Sequence, residues 1–71
     1  MSLLERIQML LEFEDVVVTE NVAYSPIGKE LKNFVINKGG IVLQFSIPKD
    51  ELSEGVIEDF LEYIEAAVQE I

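Results

Sequence analysis

Apolar residues recur at one helix-face spacing through the last third of the chain, and this pattern constrains the fold more than any other. A step of about 100° per residue puts Val56, Ile57, Phe60, Leu61, Ile64, Ala67, Val68 and Ile71 on one side. Glu51, Glu54, Glu58, Glu62, Glu65 and Gln69 fall on the opposite side, with Asp59 and Glu70 on its flank. The spacing predicts an amphipathic helix over 52–71, beginning between Lys49 and Ser53 and capped by Asp50 or Ser53. Its apolar side needs a partner surface from the rest of the chain.

Residues 41–47 offer that surface. Ile41, Leu43, Phe45 and Ile47 alternate with Val42, Gln44 and Ser46, as in an antiparallel strand covered on one face. Earlier, Val16, Val17, Val18 and Thr19 favour a strand within 15–24, which Glu20 and Asn21 are expected to interrupt as a bulge or turn. Ser25-Pro26-Ile27-Gly28 has the composition of a β-turn.

Residues 31–37 fit two periods. As a helix, Ser25 would cap it and Ile27, Leu31, Phe34 and Val35 would align. As a strand, Leu31, Asn33 and Val35 face one way, and Lys32, Phe34 and Ile36 the other. The strand is preferred, because Phe34-Val35-Ile36 is rich in β-formers and Asn37-Lys38-Gly39-Gly40 suits a tight hairpin. Residues 2–13 read as a first helix, with Ser2 as cap and Leu3, Leu4, Ile7, Leu10 and Leu11 facing inward. Met9 and Phe13 lie off that stripe and are the candidates for self-association.

The expected class is α+β. It is a two-layer sandwich of one domain over 1–71, in the order helix, three-stranded antiparallel meander, helix, with both helices on one face of the sheet. At 71 residues folding buries only about 60% of the unfolded chain's surface, so a lone monomer is marginal. No cysteine exists to supply a disulfide. The 49% hydrophobic content must therefore carry stability, helped by a second copy, and a homodimer is expected.

Several chemistries are disfavoured. Without His or Cys, a zinc site has no usual ligands, and Ser25, Ser46, Ser53 and Thr19 have no neighbouring base to activate them. Gly28-Lys29 lacks the spacing of a phosphate loop. Carboxylates along one exposed helix do not enclose a metal ion. The reading is accordingly a non-enzyme with no catalytic residues, no metal and no cofactor. A net charge of −9 opposes direct contact with nucleic acid and with anionic membranes, and favours a protein partner with a basic surface. No apolar run approaches a membrane span, and the lack of cysteine and of a signal-peptide core points to the cytoplasm.

One feature rises above a generic domain: no Lys or Arg interrupts the acids from Asp50 to Ile71. Mixed signs would gain from Glu–Lys pairs four apart, whereas Glu54, Glu58 and Glu62 at that spacing repel. The expected partner-binding residues are Glu54, Glu58, Asp59, Glu62 and Glu65, with Tyr63 as an anchor at the apolar border. In its sharpest form, the row imitates phosphates and makes the chain an inhibitor of a nucleic-acid-binding protein. The alternative is an assembly subunit or chaperone that acts through apolar contacts. Lys32 reads as protection of a sheet edge. The element order and length are similar to those of double-stranded-RNA-binding domains. The second helix, where such a domain needs basic residues, is acidic here, so RNA binding does not follow.

Overall fold

The computed structural model describes residues 1–71. Helix α1 spans Leu3–Leu10, strands β1, β2 and β3 span Val16–Tyr24, Glu30–Lys38 and Ile41–Pro48, and helix α2 spans Glu54–Gln69. The sheet order is β1-β2-β3 with both pairings antiparallel, which is the expected meander. Residues 31–37 are therefore strand, and they form the central one.

Local chemistry explains the boundaries. Ser2 and Glu5 close a reciprocal capping box at the start of α1, at 3.1 Å in each direction. The helix ends at Leu10 and does not run to Phe13 as its apolar content suggested. Its last turn has no basic residue, and the following Glu12, Glu14 and Asp15 oppose the negative end of the helix dipole. Ser53 is the cap of α2, accepting from the Val56 amide, while Lys49–Glu51 forms a separate 3₁₀ turn. That helix so begins slightly later than expected.

The β2–β3 connection is a two-residue hairpin in which Gly39 and Gly40 both take positive φ, a conformation that L side chains resist. The Asn37 carboxamide oxygen accepts from the Gly40 amide at 3.1 Å. Glu20 and Asn21 do not interrupt β1. The register runs unbroken from Val16↔Lys38 to Tyr24↔Glu30, because both residues find cross-strand partners in Lys32 and Asn33. Lys32 is thus on the central strand and pairs with Glu20, so it does not guard an edge.

The core lies between the sheet and both helices. Leu3, Ile7 and Leu11 from the first helical segment meet Phe34, Ile36 and Ile47 from the sheet, and Ile64 and Val68 from α2. Phe34 stacks obliquely on Phe60 with centroids 5.9 Å apart. Lys38 secures one end of this layer. Its ammonium donates to the Val68 carbonyl at 3.1 Å and lies 3.8 Å from Glu14. The last turn of α2 has no basic residue of its own, so this cation from β2 complements the helix dipole.

The other face of the sheet has no helix. Paired rows across it read Val17–Asn37–Val42, Thr19–Val35–Gln44, Asn21–Asn33–Ser46 and Ala23–Leu31–Pro48. None of these residues is charged.

Candidate functional site

The acidic helix face is best defined by what each carboxylate touches. All five basic side chains are in ion pairs: Arg6 with Glu54 at 2.9 Å, Lys49 with Glu30 at 2.8 Å, Lys32 with Glu20 at 3.4 Å, Lys29 with Asp50 and Glu51 at 3.5 and 3.6 Å, and Lys38 with Glu14. Such surface pairs contribute little stability each, but they decide where charge is left over. On α2 the unpaired acids are Glu58, Asp59, Glu62 and Glu65, and Glu70 at its C-cap is unpaired too. Glu54 belongs to a different group, since its carboxylate is held by Arg6 from α1.

The helix therefore has two unlike flanks. Glu58, Glu62 and Glu65 follow Glu54 along the side toward α1 and solvent, spaced roughly 4.5–6 Å along the axis. The opposite flank turns toward β3. There Val56, Asp59, Phe60 and Tyr63 line an open groove of about 480 Å³ with Gln44, Phe45, Ser46 and Ile47. Tyr63 stands edge-on to Phe45 with centroids 5.6 Å apart, yet remains exposed. It occupies the border position expected of an anchor. Asp59 is the groove's only charged residue, and on the helix surface it neighbours Glu62 three positions on.

Helical periodicity brought the six partner-binding candidates onto one element, and the structure divides them. Glu58, Glu62 and Glu65 form a continuous row, Asp59 and Tyr63 belong to the groove, and Glu54 is neutralised. Met9 and Phe13 are uncovered, Phe13 at 94% exposure, in the helix and in the turn after it. No strand or loop folds over them.

Sequence reasoning missed a polar centre on the uncovered sheet face. Asn33 is buried to 7% exposure, with its amide donating to Asn21 Oδ1 at 3.0 Å and to Gln44 Oε1 at 3.4 Å. Its own Oδ1 accepts from the Ser46 hydroxyl at 2.8 Å. The network spans all three strands. A signal existed in the sequence, as Asn33 interrupts a β-rich run at a position that alternation places beside Leu31 and Val35. Its partners became visible only with the register.

Two ionisable groups outside the acidic row are shifted. The Ser2 backbone amide, then its hydroxyl, hold the Glu5 carboxyl below its ordinary range. The hydrogen bond and charge of Glu30 raise Lys49. Nowhere do three or more carboxylates converge as a metal-binding group. No helix is long and apolar enough to cross a membrane. Comparison with known proteins gives no match to a family model, to a curated protein or to a solved structure.

Proposed function

We propose that the chain is a non-enzymatic protein-binding module whose row Glu58, Glu62 and Glu65 docks on a basic surface. The observation that carries this reading is the pairing of every cation, which leaves Glu58, Glu62 and Glu65 without counter-charge inside the molecule. A carboxylate row with no internal partner gains most from an external one, and its field speeds encounter with a cationic surface. In the narrower form of the proposal the partner is a nucleic-acid-binding protein and the row stands in for phosphates.

The test compares two charge reversals of equal size. Glu58→Lys with Glu62→Lys alters the row, while Glu12→Lys with Asp15→Lys alters unpaired acids elsewhere. Titration with an arginine-rich peptide at low salt should show the first pair weakening binding about tenfold or more beyond the second. Equal losses would mean that only net charge matters, and the docking row would be abandoned.

A second reading, an assembly subunit that self-associates, is favoured by a different observation. Large apolar side chains remain exposed at Met9, Phe13, Val17, Ile41, Val42, Val56 and Tyr63, while the open sheet face has no charge. Larger patches of this kind mark interaction sites on soluble proteins.

A further inference from the structure

We infer that β3 is the dimer seam: two copies of this chain pair their β3 strands antiparallel about a two-fold axis, forming one six-stranded sheet. This deepens the self-association reading and moves its contact from Met9 and Phe13 to the other side of the molecule.

The two sheet edges are not equivalent. Strand β1 is preceded by Glu14 and Asp15 and contains Glu20, so two such edges would meet with like charges. Strand β3 is eight residues long, unbulged in its pairing with β2, and has no charged residue from Ile41 to Pro48. Its only proline is the last position. Lysines, bulges and short length are the usual defences of an edge strand, and β3 has none of them. The free backbone N–H and C=O groups along it specify the occupant as another extended strand.

A two-fold pairing also suits the side chains. Antiparallel partners must share a face, so the paired residue numbers sum to an even value. Centred on Gln44, the register sets Leu43 opposite Phe45 and Ile41 opposite Ile47 on the helix side. On the open side, Gln44 meets its own copy, and two carboxamides can each donate and accept. Helix α2 packs over β2 and β3, through Phe60 on Phe34 and Tyr63 on Phe45. With strands about 4.8 Å apart, the two α2 axes would then lie about 10 Å apart, a normal helix packing distance. Val56, Phe60 and Tyr63 would close the groove from both sides. A stable interface of about 800 Å² per partner is roughly a sixth of the 4673 Å² accessible surface.

The charge distribution allows this contact despite a net charge of −9. Glu58 and Glu65 share the side of Glu54, which Arg6 of α1 holds, and Glu62 faces solvent between that side and Asp59. Asp59 alone lies in the groove and would face its copy at the cost of like-charge repulsion. A basic partner strand would instead gain from Asp59. The two occupants therefore predict opposite responses to one substitution.

Sedimentation equilibrium of the full chain, read as a monomer–dimer constant, tests the inference. Asp59→Asn should tighten the dimer, and Gln44→Lys should weaken it about tenfold or more although it makes the chain less negative. Met9→Ser with Phe13→Ser should leave it unchanged. Hydrogen exchange at β2 amides checks that each variant stays folded. A dimer that survives Gln44→Lys but dissolves in the Met9/Phe13 variant would overturn the β3 seam and keep the self-association reading. A wild-type chain that stays monomeric would overturn both. Weakening by Asp59→Asn would overturn the two-fold β3 pairing, which sets Asp59 against its own copy.

Discussion

The two faces of the sheet are built from alternating residues of the same three strands, yet they are held by different physics. The covered face places Phe34, Ile36 and Ile47 out of water against two helices. The open face centres on Asn33 and holds its rows with side-chain hydrogen bonds. Apolar burial scales with area and tolerates imprecise partners, whereas a buried amide costs free energy unless each of its groups is matched. The covered face therefore supplies most of the stability, and the open face adds a requirement on register. A one-residue slip would separate Asn33 from Asn21 and Ser46 and expose Phe34.

Truncating the covered face should have the largest effect. Phe34→Ala should cost about 3–5 kcal/mol, comparable with the whole stability of a domain this size, while Val35→Ala on the open face should cost far less. Urea denaturation of both variants makes the comparison. If the two losses were equal, the open face would have to be covered in solution.

The open face is challenged at its centre. Asn33→Ala leaves Asn21, Gln44 and Ser46 without their shared partner and should cost about 1–3 kcal/mol, whereas exposed Asn37→Ala should cost no more than its turn hydrogen bond, about 1 kcal/mol. Lys38→Met comes next, at about 1 kcal/mol, because it removes the cation at the α2 terminus but keeps the side-chain stem.

The smallest effect concerns pH. Glu5 has a depressed folded pKa, so its contribution is present above its unfolded pKa and fades as pH falls through the folded one. NMR titration should give Glu5 a midpoint below the ordinary carboxylate range, and Ser2→Ala should move it upward. Lys49 behaves inversely. Its raised pKa adds stability below the unfolded lysine value, which is lost as pH rises through the folded one.

The same contrast explains how far the sequence could be read. Alternation at 41–47 and the helical stripe over 52–71 were legible because burial on one side imposes a period. The choice of strand for 31–37 held because Gly39 and Gly40 supply the hairpin's backbone conformation. Glu20, Asn21, Lys32 and Asn33 resisted reading because each depends on a partner about a dozen residues away, which only the register reveals. The acidic row was legible as a row, but its membership was not. Arg6 removes Glu54 from it through an ion pair 48 residues apart in sequence, beyond the reach of any local pattern.

The meander carries a consequence for how the chain reaches this structure. Each strand pairs with its neighbour in sequence, so both hairpins close loops of only a few residues before any distant contact is needed. Hairpins of this kind form in about 1–10 μs, and the Gly39–Gly40 turn makes the β2–β3 pair the natural starting point. Docking α1 beside α2 joins the segments farthest apart and should come late. Folding should then slow markedly when Gly39 is replaced by Ala, while removal of the Arg6–Glu54 contact should mainly quicken unfolding.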